Sequence, residues 1–371
     1  MNDQISVRQT ACFCAISLLA LKLIALPSIL LEANKSSGLI VAFVLLVIDI
    51  LVLYLFLKIK QKYPNCSLYD IIEKFLGKII AKVVYVLVFL FFLAKISILM
   101  NETISYMRDI VDEEFQVYVF LLTFLPVITA MVNSGLKSTA RTCEFGFVFI
   151  LIGLIICLFL SEITFNFGEL GPIFQDKPTN ILKSIFDHSF WFSDFLFVTI
   201  LADKIKFKKN NKKTIIYLVI SISIILYILF IIYFRLFRVT AYLHKTAIAD
   251  ITQYNRNIGN VGNIDIVAIL VYLFIIFFQG ALYLTNLKVV YEKIVGYENK
   301  VHSLVVLNLI LVAIQFFVLY SLQKVIDFSV GYLKYFSVLV WVIIPFFYIC
   351  LLIFDKEKKH DKLYKKQYKK N

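Results

Sequence analysis

Residues 39–57 read LIVAFVLLVIDILVLYLFL, nineteen positions that are apolar or aromatic except for one aspartate, Asp49, near the middle. At 1.5 Å rise per residue such a run is roughly 28 Å long, close to the about 30 Å hydrocarbon core of a bilayer. A helix that is apolar on every face has no side to turn to water, so it belongs inside protein or lipid.

Working outward, nine further runs of this kind follow one another along the chain. They are Gln9–Leu31 before it, then Ile80–Met100, Val117–Met131, Cys143–Leu160, Ile181–Ala202, Ile215–Tyr233, Ile264–Val290, Leu304–Leu322 and Val330–Phe354. Composition agrees. Of 371 residues, 61% are hydrophobic and 17% charged, against about 45–50% and 25% in soluble domains. Ten spans of about 22 residues occupy roughly 220 positions, which leaves short loops and no sizeable soluble domain. The expectation is an all-α integral membrane protein: one ten-helix domain over residues 1–354, then a basic tail, 355–371.

The net charge of +13 does not point to nucleic acid, because the lysines sit in short loops beside the apolar runs. Lys58, Lys60, Lys62, Lys74 and Lys78 follow the second span. Lys204, Lys206, Lys208, Lys209, Lys212 and Lys213 follow the sixth, and Lys356 to Lys370 fill the tail. The alternate loops are acidic or mixed, with Asp109, Asp112, Glu113 and Glu114 after span three and Glu162, Glu169 and Asp176 after span five. The positive-inside rule then places both termini in the cytoplasm. Ser67–Leu76 reads as a short amphipathic helix on that surface, with Leu68, Ile71, Ile72 and Phe75 on one face. The six cysteines form no metal-binding pattern, and the absence of a Walker loop, nucleophile elbow or His/Asp/Glu ligand cluster argues against ATP-driven transport, hydrolysis and a metal cofactor.

Charges inside the spans carry the functional signal. One at the bilayer centre costs about 2.5–3.5 kcal/mol on insertion scales. Lys22 and Asp49 fall at similar depth in consecutive spans, so a Lys22–Asp49 pair is expected, either structural or ready to meet a substrate carboxylate or replace a cation. Lys95 and Glu102 share one face of span three, with Lys95 near enough to the surface to snorkel. Pro27 should open span one after Ala20, Leu21 and Lys22. Span six is interrupted by Asp187-His188-Ser189 and by Ser193-Asp194, which flank Phe190, Trp191 and Phe192; these aromatics suit either a pocket or a lipid-facing belt. Interruptions in spans one and six, five apart, are what a five-plus-five inverted repeat predicts, with a solute at the midplane. Gln279 and Tyr283 in span eight either bond a neighbouring helix or line that cavity. Arg141 and Glu144 should form a local surface pair.

The opening Ile5-Ser6-Val7-Arg8-Gln9 and the apolar run ending Leu26-Pro27 resemble the start of the spore germination permeases. Leu68–Gly77, Gly135–Glu144 (GLKSTARTCE), Gly171-Pro172 and Trp191–Asp194 resemble that family in the same order. The family lies within the amino acid/polyamine/organocation superfamily and supplies the membrane B subunits of nutrient germinant receptors. The resemblance implies a pocket between spans one, three, six and eight, and location in the spore inner membrane. It also implies two protein partners, an A-type membrane subunit and a C-type lipoprotein. Where relatives carry small residues at the span-one break this chain has Ala20-Leu21-Lys22, while Asp194 fills the acidic place in span six. Three functions are open on this reading. They are a receptor subunit binding an amino acid or similar nutrient, a proton-coupled or exchanging amino-acid transporter, and a scaffold without ligand.

Overall fold

A computed structural model describes residues 4–110, 114–160, 176–207, 212–238, 240, 246–247, 250–251, 265–297, 299–317 and 327–353. The basic tail, Gly171-Pro172, the polar loop around Asn255–Gly262 and several loop charges (Asp112, Glu113, Glu162, Glu169, Lys208 and Lys209) lie outside these residues.

The chain opens with α1, Val7–Ala20, and α2, Ala25–Asn34. It continues through α3 (Gly38–Lys62), α4 (Leu68–Leu76), α5 (Lys78–Ile110), α6 (Val117–Asn133) and α7 (Leu136–Leu160). The second half holds α8 (Pro178–Asp187), α9 (Phe197–Ile200), α10 (Lys212–Leu236), α11 (Asp265–Val295) and α12 (Lys300–Phe317). The last helix, α13, covers Val330–Ile353; it opens in a π-helical stretch, Ser329–Leu333, and contains another at Leu339–Ile343. Among the described residues the only strand-like pairing is an isolated parallel bridge, Ile5 to Ile205.

The opening motif has a physical role. Ser6 caps α1 in a capping box: the Gln9 backbone N–H donates to Ser6 Oγ, and the Ser6 N–H donates to Gln9 Oε1 at 2.8 Å. Ile5 meanwhile exchanges backbone hydrogen bonds with Lys204 and Lys206, each at 2.9 Å, which pins the start of α1 beside the exit of α9. From Gln9 to Ala20 every residue of α1 is buried, so the helix has no outward face. It runs through the middle of the bundle, against α7, α10 and α11.

Among the described residues, six helical runs are long and apolar enough to cross a membrane, with three shorter apolar helices beside them. One of the six, Ala25–Lys62, is two helices in contact, because Lys35 takes a positive φ of 50° and α2 folds back on α3. Gly38 permits that turn: a Cβ there would come within 2.6 Å of the Leu30 carbonyl oxygen. Leu51, Leu122 and Phe145 are more than half exposed, which suits hydrocarbon and not water. This is a multi-pass membrane protein.

Several helices exceed their expected lengths, and two of them matter to the site and its packing. α5 begins at Lys78 and runs on to Ile110, ten residues past the expected end at Met100, which carries Glu102 into the protein interior. α7 starts at Leu136 because Gly135, with φ 97°, makes the turn out of α6. On α7, Gly146 and Gly153 face Phe278 and Val271 of α11 closely enough that a Cβ would collide with either side chain. α4 forms as expected, with a Ser67–Asp70 capping box. It buries Leu68, Ile71 and Ile72 while Phe75 stays 41% exposed, and its Tyr69 N–H donates to the Tyr85 hydroxyl of α5.

Candidate functional site at two helix breaks

The first break is the non-helical stretch Leu21–Ile24 between α1 and α2. Pro27 falls in the first turn of α2, where its missing N–H costs no helical bond, so the opening precedes the proline. The second break separates α8 from α9. α8 ends at Asp187, and the chain descends through 3-10 turns at Ser189–Trp191 and Asp194–Leu196, joined by Phe192 and Ser193. Neither glycine nor proline makes it. Ser193 Oγ bonds the carbonyls of Ser189 and Phe190, offering the backbone a local substitute for helical bonds.

Between the breaks, Asp194 accepts three hydrogen bonds from three other elements. Lys22 Nζ donates to Oδ2 at 2.6 Å, while Lys95 Nζ and the Tyr283 hydroxyl each donate to Oδ1 at 2.7 Å. All four side chains are buried, and both ion pairs have fully enclosed partners. Lys95 also donates to the Phe190 carbonyl, a group that the break in span six frees, and Lys22 reaches the Ser17 carbonyl at 3.5 Å. Rings cover the ammonium groups: Phe192 lies 5.1 Å from Lys22, with Phe190 at 4.8 Å and Phe91 at 5.6 Å from Lys95.

A second layer follows. The Trp191 indole N–H donates to Glu102 Oε1 at 3.1 Å, and Ser17 Oγ donates to Gln279 Oε1 at 3.0 Å. Ala20 and Leu21 are buried at the end of α1 beside Lys22, and Ser193 precedes the central carboxylate. Phe190, Trp191 and Phe192 are all buried, so none belongs to a lipid-facing belt.

Three expectations change. Lys22 turns to Asp194 instead of Asp49, because the break in span six brings that carboxylate into the protein centre; neither Asp49 oxygen has a hydrogen-bond partner among the described residues. Lys95 does not snorkel: it is fully buried, since α5 continues well past it. Glu144 faces Arg8 at 3.9 Å, an exposed contact with the start of α1, and not its neighbour Arg141. Phe91 and Ser17 were not singled out from sequence. Phe91 lies four residues before Lys95, and so on its face. Ser17 is a polar residue in the first apolar run, and its place in the site shows only once Gln279 is brought beside it.

The profile of a family described as "Spore germination protein" matches residues 4–325. The chain belongs to this family of spore germination permeases. A comparison with curated proteins finds no match. Among solved structures, the chain is similar to the substrate-bound outward-open state of a Na+-coupled sialic acid symporter. The TM-score is 0.53 at 13% identity, over 89% of this chain and 75% of that one. That likeness concerns the fold alone, a helical architecture shared with a membrane symporter. The family is one of permeases.

Proposed function

We propose that this spore germination permease is the B-type subunit of a nutrient germinant receptor in the spore inner membrane. It binds an amino acid or similar small nutrient at the midplane and passes the event to an A-type membrane subunit and a C-type lipoprotein. We read its chain as ten spans in a five-plus-five inverted repeat with both termini cytoplasmic; α1 with α2, and α8 with α9, are the interrupted first spans of each half. One observation supports this most: a single carboxylate, Asp194, ties both breaks to α5 and α11 through Lys22, Lys95 and Tyr283. A nutrient carboxylate or ammonium competes for these partners, so binding loosens a knot joining four elements and shifts a conformational equilibrium.

Spores carrying Lys22→Met, Lys95→Met and Asp194→Leu together provide the test. Replacing a buried ionic cluster by apolar side chains is often neutral for folding, so the receptor should assemble with its partners yet give no nutrient response. A normal germination response with the cluster removed would refute the reading. Uptake of labelled amino acid into vesicles, abolished by a protonophore, would instead favour the transporter.

A further inference from the structure

A cavity of about 650 Å³ opens between α2 and α8, and the residues of the Asp194 cluster do not line it. Its volume lies within the roughly 300–1,000 Å³ of small-molecule sites. Its walls carry Glu32 from α2, Asp176, and Asp187 and Lys183 from α8. Asp187 is engaged by Lys334 of α13. Two carboxylates, Glu32 and Asp176, therefore stand against one ammonium, and Asp176 Oδ2 is enclosed with no described hydrogen-bond partner.

His188 closes the cavity wall and is only 4% exposed. Its Nδ1 lies 2.8 Å from the Ser184 carbonyl oxygen, which can only accept, so Nδ1 carries the proton and Nε2 presents a lone pair. No described residue donates to Nε2. An unengaged acceptor on a buried side chain and an excess of carboxylate make a site for a donor bearing positive charge.

We propose that this cavity is a second ligand site, separate from the midplane cluster, that takes the ammonium group of a small organic amine. His188 Nε2 and the Glu32 carboxylate accept from the ammonium. The site also bridges the two halves of the breaks: Asn34 of α2 donates to Ser184 Oγ at 2.7 Å, and Ser184 Oγ lies 3.0 Å from His188 Nδ1. The His188 ring is 6.2 Å from that of Trp191, whose indole reaches Glu102, so an amine at His188 acts on the same aromatic segment that surrounds the cluster.

The full chain in lipid nanodiscs, with Cys66 and Cys350 changed to serine and Asn180→Cys as a reporter in the cavity, tests this. Modification by an uncharged methanethiosulfonate should slow at least threefold in ethylammonium and stay unchanged in acetate or glycerol. Glu32→Gln with His188→Leu should abolish the protection while leaving the melting temperature in place. Trp191 fluorescence in a Trp341→Phe background gives a second readout and should respond to ethylammonium alone. Equal protection by glycerol, protection by acetate or by Na+ or Ca2+ without ethylammonium, or no effect in either readout would overturn the proposal. No germination step is measured, so its failure leaves the midplane reading untouched.

Discussion

Asp194 and Asp49 are both 1% exposed, and both sit among apolar side chains within a membrane protein. Asp194 accepts from two ammonium groups and a phenol. Asp49 accepts from nothing among the described residues, and the Trp341 indole N–H, though near it, does not meet hydrogen-bond geometry. The difference lies in the backbone. Asp49 belongs to α3, a continuous helix of 25 residues whose polar backbone groups bond within the helix. Asp194 stands where the helix has come apart, and the freed Phe190 carbonyl draws Lys95 inward. A helix break thus gathers donors from several helices around one acid, which a continuous helix does not do.

The sharpest way to break this contrast is Asp194→Asn. It leaves two ammonium groups facing each other without their counter-ion. Like charges held this near one another repel in the protein interior, and removing one side of a buried ion pair costs about 3–5 kcal/mol. A loss of that size is expected in detergent-solubilised unfolding; a loss under about 1 kcal/mol would show that the cluster is not ionic.

Lys22→Met is expected to cost less, about 2–3 kcal/mol, because one charge-assisted bond disappears while Lys95 and Tyr283 hold the carboxylate. If it matches Asp194→Asn, the three donors act as one unit and not as separable contacts. Trp191→Phe keeps the ring and removes one donor, leaving Glu102 Oε1 unpaired, for about 1–2 kcal/mol. Its chief value is in asking whether the outer layer is needed to hold the inner one, read from melting temperatures of the single and double variants with Lys22→Met.

Much of this was legible before any coordinates. Apolar runs marked most helices, since period and length are local properties; the cost of charge in hydrocarbon singled out Lys22, Asp49, Lys95 and Glu102, and the polar interruption of span six marked Asp194. Partner choice was not legible. Lys22 and Asp49 look matched when depth is counted along straight helices, but depth along the chain stops meaning depth in the protein once a span unwinds. The break in span six left a faint trace because the Ser189 and Ser193 hydroxyls bond the backbone there, to the Phe186 and Ser189 carbonyls, where sequence rules look for glycine or proline. The depth of Glu102 was hidden for the opposite reason: α5 does not stop when its apolar run becomes polar, because Glu102 meets the Trp191 indole and Thr103 the Tyr272 hydroxyl instead of water.

Asp49→Asn carries the smallest expected effect and the most information about the pair of acids. An amide has the shape of a carboxyl, and with no hydrogen bond on either oxygen there is none to lose, so stability should move by less than about 1 kcal/mol. A double-mutant cycle with Lys22→Met sharpens this, because residues that share no bond should add to within about 0.5 kcal/mol. Were the coupling instead to approach 3 kcal/mol, Lys22 would be dividing its time between two acids. Asp194 would then be one resting place of a mobile ammonium, and the contrast between a satisfied and an orphaned carboxylate would become two states of one switch.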